Sequence, residues 1–191
     1  IGVRLVGSEM CIRDSLEFHI YKDDLTEVLN YRCLYKDVKA HIEHCKESDE
    51  KFTLVFVDLD NFKSINDRHG HIVGSSLLKQ LSEKLIKYND KNEFKIYRYG
   101  GDEFVFLCED SDTVEAERRV SRVLAKLAKD KFQISEDNER NIELSVGFAE
   151  FPTDGETFQE IVAIADKMMY EAKKQGKYQT NVRIKKFKKS A

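Results

Sequence analysis

The chain has 191 residues, 35% of them charged and 41% hydrophobic, with a formal net charge of −3. That size and balance suit one soluble globular domain with a full core, and the near-neutral charge gives no electrostatic case for a nucleic-acid partner. Cys11, Cys33, Cys45 and Cys108 show neither CxxC spacing nor histidines placed for zinc, so they read as thiols of a reducing compartment, and no apolar run approaches the ~18 residues of a membrane span.

In chain order, residues 1–15 come first. Gly7-Ser8-Glu9-Met10-Cys11-Ile12-Arg13-Asp14-Ser15 resembles the conceptual translation of a sequencing-library adapter, the alternative being a short amphipathic lead-in. A helical pattern runs from Asp23 to about Lys46, with Leu25, Val28, Leu29, Leu34, Val38 and Ile42 near 3.6 spacing and Asp23, Asp24 or Thr26 available as cap. Phe52 to Leu59 reads as a strand, Phe62 to Arg68 as a short helix broken at Gly70, and Ser75 or Ser76 as the start of a helix through Tyr88. A hairpin over 94–108 follows, then an amphipathic helix from Thr113 to Lys129. A strand from Ile142 to Phe151 ends at Pro152, and a helix from Phe158 to Lys174 is closed by Gly176. Residues 181–191 read as a last strand and basic tail, leaving 16–180 as the domain. The order predicts an α+β fold, a ferredoxin-like palm with a largely antiparallel sheet flanked by helices.

The hairpin tip is the most informative stretch. Arg98-Tyr99-Gly100-Gly101-Asp102-Glu103-Phe104 sets two glycines and two carboxylates between short apolar strands. Glycine lets backbone approach a phosphate, and adjacent carboxylates suit a divalent cation. Upstream, the apolar run of Phe52 to Val57 ends in Asp58-Leu59-Asp60, and alternation puts Asp58 and Asp60 on one face. A strand-end Asp often only caps the next helix. Two apolar strands that both meet acids point instead to two-metal phosphoryl transfer.

These motifs, with others in order, resemble the GGDEF family of nucleotidyl cyclases over about Asp23 to Lys177. Asp24-Leu25-Thr26 with Asn30 and Arg32 resembles the opening turn, and Asp58 to Lys63 with Ile65-Asn66-Asp67 the first metal block. Gly70-His71 and Gly74, Ser145-Val146-Gly147-Phe148-Ala149, and Ala165-Asp166-Lys167 through Met169-Tyr170, Ala172-Lys173 and Gly176-Lys177 complete the series. The resemblance implies that Asp58, Glu103 and the Leu59 carbonyl hold magnesium, or manganese in its place. Asp102 stands as candidate base by the second metal, its role shared with Glu103. Asn61 and Phe62 N–H groups, Lys63, the Gly101 backbone, Lys173 and Lys177 would cradle phosphates. Lys177 stands where the family has Arg, replacing a fork by a point charge. Asn66 would read the base edge with His71 nearby, although a loop histidine bonded to backbone is an equal reading. GTP, with ATP as a second substrate, two copies meeting as a homodimer, and an upstream sensor outside this piece are also implied. The domain itself is expected to be cytoplasmic, with room for a membrane anchor in that upstream part.

Two positions depart from the family pattern. Ser75 stands where a guanine-reading Asp is usual, which resembles the hybrid promiscuous branch that makes mixed GMP–AMP rings; Ser75 could equally serve as a helix N-cap. Lys91-Asn92-Glu93-Phe94 replaces the inhibitory Arg-x-x-Asp, so no product-binding inhibitory site is expected. A catalytically silent nucleotide-binding or partner-docking module is the alternative function. The intact Asp58, Asp102 and Glu103 favour the enzyme.

Overall fold

The computed structural model describes residues 20–174 and the backbone of residues 182–186. Residues 1–15 and Lys177 lie outside the described residues. Among the described residues the strands are β1 (Leu29–Asn30), β2 (Phe52–Leu59), β3 (Lys95–Gly100), β4 (Glu103–Cys108), β5 (Phe132–Ser135), β6 (Asn138–Arg140), β7 (Leu144–Phe151) and β8 (Val182–Lys186). The helices among them are α1 (Tyr31–Ser48), α2 (Phe62–His69), α3 (His71–Tyr88), α4 (Thr113–Leu127) and α5 (Phe158–Lys174).

The main sheet runs β1-β3-β4-β2-β7-β8, antiparallel through its four central strands and parallel at the two outer pairings. Strands β2, β3, β4 and β7, with helices between β2 and β3 and between β4 and β7, make the β-α-β-β-α-β ferredoxin-like unit. Alternation along β2 separates two cores. Val55, Val57 and Leu59 pack with α3 and α4, whereas Phe52, Leu54 and Phe56 pack with α1 and α5. Helices therefore cover both faces, as the expected α+β architecture requires.

Three local expectations are corrected. The first long helix starts at Tyr31, not Asp23. Asp23 Oδ1 accepts from the Thr26 N–H (2.9 Å) and hydroxyl (2.6 Å), which fixes a turn rather than a helix. Glu27 then takes φ 60°, and Asn30 caps α1 by accepting from the Cys33 N–H at 3.0 Å. Next, α3 starts at His71 with Gly70 as its N-cap, so Ser75 lies inside the helix and does not cap it. Finally, a separate two-stranded sheet, β5 with β6, occupies a stretch left unassigned from sequence. Only Phe132 and Ile134 of it are buried, too short an alternation to stand out among polar neighbours.

Candidate active site

Asp58, near the end of β2, and Glu103, at the start of β4, are ladder partners. Partners on adjacent strands point to the same face. That face is the one covered by α1 and α5, while the Leu59 side chain is buried in the opposite core, so Leu59 can offer only its backbone. Its N–H donates to the Asp102 carbonyl at 3.3 Å, tying the hairpin turn to the end of β2.

Lys173, in the last turn of α5, reaches over both aspartates, with Nζ 2.5 Å from Asp58 Oδ1 and 3.8 Å from Asp60 Oδ1. Asp60 is buried, and the Ser145 hydroxyl from β7 straddles its two oxygens at 2.9 and 3.0 Å. Burial works against the Lys173 ammonium, but the ion pair with Asp58 prevails and raises its pKa. Burial pushes the Asp102 carboxyl up, and the like charge of Asp58 adds to it. Glu103 is raised by burial and then by Asp58, Asp102 and Asp166. Here several carboxylates crowd around one lysine.

Gly101 adopts φ 51°, the left-handed region that favours glycine, and the two-residue turn is Gly101-Asp102 rather than Gly-Gly. Among the described residues a Cβ at Gly100 or Gly101 would meet nothing within 4 Å, so none of them crowds the tip. The turn is clamped by Arg98. Its Nε and Nη2 donate to the Gly101 carbonyl at 3.1 and 2.8 Å, and its Nη1 donates to Asp23 at 2.9 Å. From sequence Asp23 was only a candidate helix cap, and Arg98 had no role. The signal was faint, an arginine beside the signature and an aspartate 75 residues upstream.

The other end of the candidate site lies where α2 meets α3. Asn61, at φ 62°, turns the chain into α2, whose first-turn N–H groups at Phe62 and Lys63 are not needed by the helix itself. Lys63 is exposed. Asn66 packs against Gly74 so closely that a Cβ there would stand 1.9 Å from Asn66 Oδ1. That buried Oδ1 has no hydrogen-bond partner among the described residues, an acceptor placed for a donor from outside the chain. Ser75 follows Gly74 and is half-buried, while His71 is exposed at the first position of α3. Thus Asn66 and Ser75 come to one junction, with His71 one turn earlier on the same helix.

Where an inhibitory Arg-x-x-Asp would lie, Phe94 is buried and stacked on Phe106 (4.8 Å between ring centroids), and Glu93 pairs with Arg122. Phe94 is therefore core, with no polar group to offer.

Residues 20–179 match the family described as diguanylate cyclase, GGDEF domain, and the chain belongs to that family. It is 36% identical over 155 residues to MucR of Pseudomonas aeruginosa, a bifunctional diguanylate cyclase/cyclic di-GMP phosphodiesterase, covering 81% of this chain and 22% of that protein. It is 30% identical to the diguanylate cyclase DosC of Escherichia coli, covering 81% of this chain and 33% of that protein. Among solved structures, the isolated GGDEF domain of TpbB (YfiN) from Pseudomonas aeruginosa superposes with a TM-score of 0.75 at 26% identity, covering 86% of this chain and 94% of that one. The chain thus spans about a fifth to a third of the length of these curated relatives.

Proposed function

We propose that this domain is a cyclic-dinucleotide synthase that condenses two nucleoside triphosphates into a 3′,5′-linked ring with release of pyrophosphate. One observation supports it above the others. Asp58 and Glu103 are register partners on adjacent strands, and Asp102 occupies the glycine turn bonded to Leu59. Two such domains would meet face to face, each holding one triphosphate. Each 3′-hydroxyl attacks the partner's α-phosphate in line, its proton passing to Asp102, and pyrophosphate leaves.

A divalent cation fits the donor chemistry. Among the described residues no three Asp, Glu, His or Cys side chains form a metal-holding group by themselves. Magnesium usually takes one or two carboxylates plus substrate phosphates rather than an all-protein cage. Crowded carboxylates with raised pKa, Asp102 and Glu103, are what such an ion would relieve. Asp58, Glu103 and the Leu59 carbonyl would hold magnesium or manganese, with Asp102 beside it, and the ion would supply charge neutralisation for the triphosphate. The N–H groups of Asn61 and Phe62, Lys63, the open Gly101 backbone and Lys173 would bind the phosphates, with Lys177 as a further cation.

For the base, the orphaned Asn66 Oδ1 supports recognition of a purine donor edge. Ser75 beside it offers a hydroxyl where a carboxylate would hold guanine. Loss of a charged acceptor should cost guanine about 1.5–3 kcal/mol of preference. GTP therefore remains a substrate and ATP competes. The deciding experiment incubates the domain with GTP, ATP, or both plus Mg²⁺ and identifies products by mass. A mixed GMP–AMP ring alongside cyclic di-GMP is expected, and Ser75→Asp should return a pure guanine product. Cyclic di-GMP alone from equal GTP and ATP would refute the role of Ser75. Nucleotide binding without any cyclic product would establish the silent-module alternative.

The Arg98 clamp predicts a further effect. Arg98→Ala frees the Gly101 carbonyl and lets the turn wander, so kcat should fall about 10²-fold while the global melting temperature changes little. Steady-state kinetics beside thermal denaturation check this. Unchanged kcat would show that the turn is held by β3 and β4 alone.

A further inference from the structure

We propose that a cavity on the α1/α5 face, backing onto Glu103, is a binding site for a small free organic cation with a guanidinium or alkylammonium head. The cavity has a volume of about 380 Å³ and is walled by Tyr31, Phe56, Tyr99 and Phe158, with Glu103 and Asp166 contributing carboxylates. Five elements build it, because Tyr31 opens α1, Phe56 lies in β2, Tyr99 in β3, Glu103 starts β4, and Phe158 and Asp166 lie on α5.

The walls are ordered by one another. Tyr31 meets Tyr99 edge to face at 5.2 Å and 80°, Phe56 meets Tyr99 at 5.0 Å and 64°, and Tyr31 meets Phe158 at 6.3 Å and 77°. Among the described residues neither the Glu103 nor the Asp166 carboxylate accepts a hydrogen bond or forms an ion pair. Two carboxylates that accept no hydrogen bond there, beside four aromatic rings, select their ligand by chemistry. An anion is repelled, and a neutral apolar molecule would leave charges desolvated without a partner. A bare metal ion would find too few oxygen donors among aromatic walls. An organic cation meets both features, its head placed against the ring faces and its N–H groups donating to the carboxylates. The volume lies at the low end of small-ligand cavities, which suits a compact free molecule.

Glu103 faces this cavity and also belongs to the proposed metal group. A bound organic cation would therefore compete with the divalent ion for that carboxylate and lower turnover, a consequence that rests on the cyclase reading. The binding itself does not rest on it.

The test compares phenylguanidinium with phenylurea, its neutral counterpart of similar shape, by calorimetric titration and by tyrosine ring chemical shifts. KCl holds ionic strength constant. Saturable single-site binding of phenylguanidinium is expected, with phenylurea at least about tenfold weaker. Asp166→Asn and Tyr31→Ala should each weaken the cation about tenfold. Tyr31 is 44% exposed, so its truncation leaves the core intact, and Asp166→Asn alone decides should Tyr31→Ala melt early. Equal binding of the two probes, cation binding indifferent to Asp166→Asn, or no saturable binding would overturn the proposal. A domain that makes no cyclic product but still binds phenylguanidinium in this pattern would refute the cyclase reading and leave the cation site standing.

Discussion

Glu103→Gln should remove cyclisation, with turnover reduced to about 1% or less, at least ~2.7 kcal/mol of transition-state stabilisation, while the folded domain is unharmed. Glu103 is half-buried at the first residue of β4, an inner strand of the sheet, its carboxyl pushed up by burial and by Asp58, Asp102 and Asp166. A raised folded-state pKa means that the ionised form is disfavoured by folding. Above that pKa the charge works against stability, and a neutral amide relieves it. The melting temperature of Glu103→Gln at neutral pH should therefore equal or exceed that of the parent. Asp58→Asn should be equally inactive but less stable, since the ion pair that Lys173 makes with the Asp58 carboxylate is lost. Opposite stability changes with the same loss of turnover separate a metal-holding pair from a merely structural one. Turnover above a tenth of the parent rate in either variant, at matched protein and Mg²⁺, would remove these two residues from the proposed metal group.

The second large effect is expected at Gly147 in the middle of β7. A Cβ built there would stand 2.2 Å from the Ala165 carbonyl oxygen and 2.2 Å from the Met169 nitrogen. Both are backbone atoms of α5, so no side chain can swing away and the helix must lift off the sheet. Overpacking of this kind costs about 3 kcal/mol, at the upper end of the usual range. For a domain of this size that lowers the melting temperature by roughly 6–12 °C. The same displacement moves Lys173 and Asp166, which α5 carries, so loss of stability and loss of turnover should appear together. A Gly147→Ala variant melting within about 2 °C of the parent would mean that α5 shifts without resistance.

The palm and the acidic centre were legible in the sequence because both depend on short-range regularities. The near-continuous apolar run of Phe52 to Val57 announces a strand buried on both faces, and the two-residue period of a strand sets Asp58 opposite Leu59. The glycines and acids of residues 100–103 announce a turn with carboxylates, since few other residue types tolerate a left-handed turn so easily. Helix starts were less legible. The 3.6-residue pattern running back to Asp23 was outcompeted by Asp23 bonding the Thr26 backbone and by Asn30 capping seven residues further on.

Contacts between distant segments were decided only by tertiary structure. The ladder register sets Asp58 against Glu103, 45 residues further along the chain, and nothing in either segment states that pairing. Arg98 joins Asp23 to Gly101, and Ser145 steadies Asp60, through side chains whose own neighbours in sequence give no hint of the partner. Asn66 acquires its orphaned acceptor because Gly74 on the next helix lets it come close. Propensity and periodicity are written residue by residue along the chain. Proximity between segments arises when the two cores close on the sheet, and only then do separate acids meet one lysine at the end of β2.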